Sequence, residues 1–89
     1  MSLLDTSGYP LSWLIDDGLG GRYSLPCRLT GRLDRTVTGR LHGGKSVEIE
    51  LPGGYRVWTT HQALWWGLTE RMTEQDVICR VDLMSLEGR

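Results

Sequence analysis

The feature that most constrains the fold of this chain is an alternation of apolar and polar residues between Tyr23 and Thr59. A period of two residues is typical of β-strands that bury one face of a sheet. The apolar members all carry odd numbers: Tyr23, Leu25, Cys27, Leu29, Leu33, Val37, Leu41, Val47, Ile49, Leu51, Tyr55 and Val57. Residues 22–59 therefore predict a meander of four antiparallel strands whose odd-numbered side chains point inward.

The inward-facing residues have odd numbers on both sides of every turn, so each connecting loop must contain an odd number of residues. Loops at 34–36, 42–46 and 52–54 meet this condition, and they pair Leu33 with Val37, Leu41 with Val47 and Leu51 with Tyr55. On the outer face this register sets Arg40 opposite Glu48, Arg56 opposite Glu50, and Trp58 beside Glu48. The arginines that it leaves without a partner are Arg22, Arg28, Arg32 and Arg35.

Three further elements follow from periodicity outside the meander. Pro10, followed by apolar residues at helical spacing, predicts a short helix at 10–17 within an N-terminal lead-in of residues 1–21. Leu64, Leu68 and Met72 recur every four residues, which predicts a helix at 61–72. The alternation of Val77, Cys79, Val81 and Leu83 predicts a final strand at 77–84.

These elements define the expected fold class. A chain of 89 residues has room for one core, so residues 1–89 are expected to form a single domain. The class is mainly β: a small five-stranded antiparallel barrel or strongly curled sheet, with a short N-terminal helix and a helix between strands four and five. This order is similar to the topology of SH3-like and Sm-like small barrels. The alternation does not distinguish a closed barrel from an open sheet.

Charge and composition exclude some partners. The formal net charge is -1 and the pI is about 6.1, so nothing global attracts nucleic acid or an anionic membrane. Asp5 stands where a secretory signal would be basic, and no apolar run approaches membrane-spanning length. We expect a cytoplasmic protein with no membrane contact. Cys27 and Cys79 are expected to be small buried thiols, and a disulfide between them is left open.

The aromatic residues are the leading candidates for a binding surface. Trp58 has the outward parity of its strand, and Trp65 and Trp66 are adjacent, so on a helix they cannot both face the core. A large ring left in water exposes apolar area that a partner would cover. The leading hypothesis is a non-catalytic interaction module that uses Trp58, Trp65, Trp66 and Tyr55 for homo-oligomerisation or protein-partner binding.

Two other functions stay open. The first is single-stranded nucleic-acid binding, in which bases stack on Trp58 or Tyr55 and phosphates meet Arg28, Arg32 and Arg35. The second is a small enzyme with a cleft at a subunit interface that uses His61. No catalytic motif accompanies His61, so no catalytic residue is assigned. The residues of zinc-ligand type, Cys27, His42, His61 and Cys79, lack the close pairing typical of zinc sites, and we expect no metal and no cofactor.

Overall fold

A computed structural model describes residues 7–41 and 46–87 of the chain. Within these residues the elements in chain order are β1 (Leu11–Asp16), β2 (Arg22–Leu33), β3 (Val47–Glu50), β4 (Arg56–Thr59), a 3-10 turn (His61–Ala63), β5 (Leu64–Trp66), β6 (Glu70–Arg71) and α1 (Glu74–Glu87). The six strands form one antiparallel sheet in the order β4-β3-β2-β1-β5-β6. The mainly β character is as expected. The five-stranded barrel is wrong, because the described residues form six strands in a sheet that does not close.

The long strand β2 connects the two halves of the sheet. Its first half pairs with β1, where Leu11 lies opposite Cys27, and its second half pairs with β3, where Leu29 lies opposite Ile49. The register of β2 against β3 shifts between Leu29 and Leu33, and Gly31 there has a φ of 97°. A bulge of this kind bends a strand. As a result, the Trp13 indole on β1 reaches Thr59 on β4 and donates a hydrogen bond of 3.0 Å to its hydroxyl.

The meander is partly wrong in its middle section. Residues 34–41 form only an isolated bridge between Val37 and Arg40. Strand β2 instead pairs directly with β3, with Leu33 opposite Val47, and the Asp34 N–H continues this pairing by donating to the Ser46 carbonyl at 2.8 Å. The pairings of Leu33 with Val37, Leu41 with Val47 and Arg40 with Glu48 are therefore wrong. Residues 42–45 of the expected 42–46 loop lie outside the described residues.

The last turn of the meander is confirmed. The Leu51 N–H donates to the Tyr55 carbonyl at 2.7 Å, Glu50 lies opposite Arg56, and Glu48 lies opposite Trp58. Gly53 and Gly54 take φ values of 95° and 89°, which other residues rarely adopt.

Both of the expected helices are wrong. Residues 11–16 form β1, which pairs along its whole length with β2 and places Leu11 and Trp13 at the core. Residues 61–72 form the 3-10 turn and the β5–β6 hairpin, which reverses at Gly67 with a φ of 58°. Strand β5 pairs with the edge of β1 that an N-terminal helix would not have provided.

The expected final strand is also wrong, because residues 74–87 form α1. Thr73 and Asp76 make a capping box: the Asp76 N–H donates to the Thr73 hydroxyl at 3.1 Å, and the Thr73 N–H donates to the Asp76 carboxylate at 3.0 Å. These bonds hold the pKa of Asp76 below its ordinary value, chiefly through the backbone N–H of Thr73. Val77, Ile78 and Val81 then follow at helical spacing and are buried.

Helix α1 packs on β2 and covers the middle of the inner face of the sheet. The core contains Leu11, Cys27, Leu29, Val47, Ile49, Leu64, Met72, Val77 and Val81. The odd-numbered residues at this centre are buried as expected, but Glu48 and Glu50, expected on the outer face, are buried too. Away from the centre the expectation fails, because Tyr23, Leu25, Val37 and Tyr55 are exposed. Both cysteines are free: Cys27 is buried as expected, whereas the expected burial of Cys79 is wrong, because Cys79 is exposed on α1. No helix in the described part of the chain has the length and apolar character needed to cross a membrane.

Candidate functional site: the groove beside the C-terminal helix

The helix does not cover the inner face completely, and a groove of about 210 Å³ remains between α1 and the start of β1. Its lining consists of Pro10, Leu11, Arg28, Leu29, Trp66, Arg80, Leu83, Met84 and Glu87. We call this the α1 groove. Six of these nine residues are apolar, and the three charged ones are Arg28, Arg80 and Glu87. The groove therefore combines an apolar floor with a few charged groups.

The exposed flank of α1 extends this apolar surface. Because Val77, Ile78 and Val81 turn toward the sheet, Leu83 and Leu86 fall on another face of the helix. Leu83 is 55% exposed and Leu86 is 63% exposed. Two leucines thus stand in water next to a groove whose floor is already apolar.

The two arginines of the α1 groove differ in their partners. Arg28 lies over the Tyr9 ring at 4.9 Å, and its Nε donates to the Glu50 carboxylate at 2.8 Å. Arg80 lies over the Trp66 ring at 4.3 Å and joins no ion pair or hydrogen bond among the described residues. Arg80 is therefore the cation of the groove whose hydrogen-bond donors are available.

Glu50 explains why Arg28 is not available. Its side chain is only 11% exposed, and it accepts hydrogen bonds from Arg28 and, at 3.5 Å, from Arg56. The hydrogen bond from Arg28, followed by the charges of both arginines and the bond from Arg56, holds the pKa of Glu50 below its ordinary value although burial opposes this. Glu50 is therefore ionised at neutral pH and fixes Arg28 at one end of the groove.

The arginines expected to contact phosphates are all paired, contrary to the sequence-based register. Arg28 is bound to Glu50, Arg32 lies 3.4 Å from the Glu48 carboxylate, and Arg35 lies 2.8 Å from that of Asp82. Arg22 also has a partner, since its Nε lies 3.7 Å from Asp16. Among the described residues the arginines without an ion pair are Arg40, Arg71 and Arg80. The outer face of the sheet thus offers less free positive charge than the sequence suggested.

The residues of the expected aromatic surface do not share one face. Trp65 and Trp66 are successive residues of β5 and point to opposite faces of the sheet. Trp66 packs against the core and lines the α1 groove, whereas Trp65 lies under Arg71 with 5.1 Å from the guanidinium to the ring. Trp58 lies four strands away from Trp65, on β4, with Arg32 over its ring at 5.6 Å. Tyr55 is exposed in the turn before β4.

The remaining candidates lie apart from the groove. His61 is half-buried in the 3-10 turn and does not line the α1 groove. Within residues 7–41 and 46–87, no three histidine, cysteine, aspartate or glutamate side chains are close enough together to hold a metal ion. His42 lies outside the described residues.

Sequence reasoning missed Arg80, Leu83, Met84 and Glu87 because it assigned their segment to a strand. The signal that would have found them is the Thr73-Glu74-Gln75-Asp76 capping box directly before an apolar run. Once the segment is helical, these four residues fall along one side of α1.

No protein-family model matches the chain, and neither does any curated protein or solved structure. The class of protein is therefore defined by geometry: a small β-rich domain with an open antiparallel sheet, a packed C-terminal helix, and an apolar groove with an unpaired guanidinium.

Proposed function

We propose that this protein is a non-catalytic interaction module that binds a segment of a partner protein in the α1 groove. The observation that carries the proposal is the exposed Leu83 in the lining of a groove that also contains Trp66, with Leu86 exposed three residues further along α1. Covering one leucine side chain fully contributes about 1.5–3 kcal/mol. Because Leu83 is 55% exposed and Leu86 is 63% exposed, a partner that covers this flank gains part of that free energy from each.

The composition of the groove supports binding. A cavity of about 150 Å³ accommodates benzene, so the 210 Å³ of the α1 groove suits one large apolar side chain of a partner. Interface centres are enriched in tryptophan and arginine, and here Trp66 and Arg80 are stacked. The described residues that line the groove include no serine, threonine, cysteine or histidine, and the proposal gives their one carboxylate, that of Glu87, no catalytic role.

The test uses short synthetic peptides that differ in their apolar residue and in both termini, titrated into the protein and followed by NMR. We expect the bound peptides to shift the Trp66 indole and Met84 methyl resonances. Leu83→Asp should weaken binding about tenfold or more, because it removes one apolar contact and adds a charge. The matched control is Leu19→Asp, since Leu19 is 92% exposed at the distant β1–β2 turn. Equal weakening by both variants, or shifts confined to other residues, would overturn the proposal.

A second candidate, self-association, is favoured by the β1–β2 hairpin. Strand β3 pairs with β2 only from Arg28 onward, so residues 22–26 have a free edge in the described structure. The Asp17 N–H donates to the Gly21 carbonyl at 3.1 Å, so the odd-numbered residues of β2 form the hydrogen-bonded pairs with β1. The N–H and C=O groups of the even-numbered Arg22 and Ser24 therefore point away from β1, toward the free edge. Tyr23 and Leu25 are exposed on the same segment. A second copy could add its own edge there.

Light scattering tests self-association directly. Self-association predicts a measured mass above the 10.1 kDa of one chain. In the Leu25→Lys variant the mass should fall to that of one chain. Leu83→Asp should leave the mass unchanged, because Leu83 lies on the helix. A strictly monomeric protein at high concentration excludes this candidate and leaves the groove proposal standing.

A further inference from the structure

The chemistry of the α1 groove identifies which part of a partner it takes. We propose that the groove recognises the carboxyl-terminal end of a partner chain, with the last side chain in the apolar floor and the terminal carboxylate on Arg80. This inference rests on the proposed function. It adds the chemical class of the ligand and the residue that selects it.

The first step is the state of the Arg80 guanidinium. The group lies over the Trp66 ring, with 4.3 Å between the guanidinium carbon and the ring centre. A guanidinium held over an aromatic ring keeps N–H donors for other partners, because the ring accepts none of them as an ion-pair partner would. The acid one turn earlier on α1, Asp76, accepts a hydrogen bond from the Thr73 N–H at 3.0 Å, and the Arg80 charge makes a small contribution to lowering its pKa without an ion pair or hydrogen bond between the two. Arg80 therefore presents a planar fork of donors, which matches a carboxylate.

The second step is the orientation of the ligand. Glu87 also lines the groove and lies seven residues after Arg80, about 10 Å along the helix. Its negative charge repels a carboxylate at that end. Leu83 and Met84 lie between the two charges. The carboxylate is therefore placed at the Arg80 end, and the apolar side chain lies over Leu83 and Met84.

The third step is the choice of a chain end over an internal acidic residue. An extended segment that passes through a site commonly adds to a free strand edge. Strand β1, which borders the groove, is paired with β2 on one side and with β5 on the other. The groove volume also suits one side chain. A terminal residue supplies both the apolar group and the carboxylate within a single residue.

The test compares four acetylated tetrapeptides by NMR titration at low salt. The first is Ac-Gly-Ala-Gly-Leu with a free carboxylate, and the second is the same peptide with a terminal amide. The third is Ac-Gly-Ala-Gly-Gly with a free carboxylate. The fourth, Ac-Gly-Leu-Asp-Gly-amide, carries its carboxylate on a side chain. We expect the first to bind most tightly and the other three to be weaker by about tenfold or more, because each lacks the apolar group, the carboxylate or their placement.

Variants of Arg80 assign the selectivity. In Arg80→Gln the preference for the free acid over the amide should fall to about one, and Arg80→Lys should restore part of it as a point charge. The matched control is Arg71→Gln, because Arg71 also stacks on a tryptophan and has no ion pair in the described residues, but lies on the other face of the sheet. This variant should keep the full preference.

The outcomes separate the two proposals. If acid and amide bind equally and Leu83→Asp weakens both, the carboxylate inference is wrong and the groove function stands. Equal binding of the aspartate peptide overturns the chain-end assignment. If none of the peptides shifts the Trp66 or Met84 resonances, both proposals fail.

Discussion

Removing the hydroxyl of Thr73 tests whether residues 74–87 form a helix that begins at a capping box. In the structure this hydroxyl accepts the Asp76 N–H at 3.1 Å, at the first turn of α1. Thr73 itself is exposed, so Thr73→Ala leaves no buried cavity. The change is therefore expected to cost the value of one N-cap, about 1 kcal/mol, with a range of about 0.5–2 kcal/mol.

The expected effect is measurable as a melting temperature. For a domain of 60–100 residues, 1 kcal/mol corresponds to roughly 4–8 °C, so Thr73→Ala should lower Tm by about that amount. Thermal unfolding followed by far-UV circular dichroism measures it. Thr73→Ser keeps the acceptor oxygen and should remain close to wild type. Thr38→Ala removes an exposed threonine from the 34–41 loop and should change stability by less than about 0.5 kcal/mol.

Thr73 does not act as the N-cap of α1 if Thr73→Ala melts like Thr38→Ala, or if Thr73→Ser loses as much stability as Thr73→Ala. Either result would mean that the hydroxyl does not cap α1. The consequence would reach the proposed function, because α1 carries Arg80, Leu83 and Met84, and their common placement depends on the helix.

Three further expectations concern the core, the thiols and the pH dependence. Val47→Ala should lower the free energy of unfolding by about 2 kcal/mol, because Val47 is fully buried. Val37→Ala should lower it by less than about 0.5 kcal/mol, because Val37 is 55% exposed. Urea unfolding measures both losses, and equal losses would contradict the observed burial. A thiol reagent at neutral pH should label Cys79 rapidly and Cys27 only after denaturation, because Cys27 is buried and burial raises its pKa to about 12. Mass spectrometry of the labelled peptides shows which cysteine has reacted, and equal labelling of both in the folded protein would contradict the expectation. The pKa of Glu50 is lowered in the fold, so ionised Glu50 stabilises the folded state above about pH 4.3, and this stabilisation is lost as the pH falls through the lowered pKa. Glu50→Gln should therefore reduce the decrease of Tm with falling pH in that range. An unchanged slope would count against the Arg28–Glu50 pair.

The part of the fold that sequence reasoning predicted correctly is set by local chemistry. The turn at 52–54 contains two glycines at positive φ, and its three-residue length determines the β3–β4 register regardless of the rest of the chain. By contrast, the number of residues between Leu33 and Val47 permits either an extra strand or a long loop. The direct pairing of β2 with β3 decides between them, and that pairing is tertiary.

The C-terminal helix was mispredicted because one set of residues satisfies two periods. Val77 and Val81 belong to an alternating series with Cys79 and Leu83, and also to a helical series with Ile78 and Met84. Apolar spacing alone cannot separate these over eight residues. The capping box distinguishes the helix from the strand, because it has no role in a strand.

The expected 61–72 helix failed for a different reason. The fourfold spacing of Leu64, Leu68 and Met72 is present, but Gly67 takes a φ of 58° and reverses the chain. Leu64 and Met72 are then buried from two neighbouring segments, with the Met72 N–H donating to the Leu64 carbonyl at 2.9 Å, while Leu68 is exposed at the turn. Strand β5 pairs with the free edge of β1, a segment about 50 residues earlier in the chain. The local sequence of residues 61–72 therefore cannot predict this pairing.

The position of the free positive charge follows from the same tertiary choice. Had residues 37–41 formed a strand beside β3, Arg40 would have taken the carboxylate of Glu48. Because β2 occupies that place, its own arginines meet Glu48 and Glu50, and Arg40 has no ion pair in the described structure. The helix in turn brings Asp82 to Arg35 but sets Arg80 over Trp66, where no carboxylate of the described residues lies within ion-pair distance. The fold thus pairs the four arginines that the alternation had left free and sets the unpaired Arg80 beside an apolar groove, which is why the candidate ligand is an apolar chain end rather than a nucleic acid.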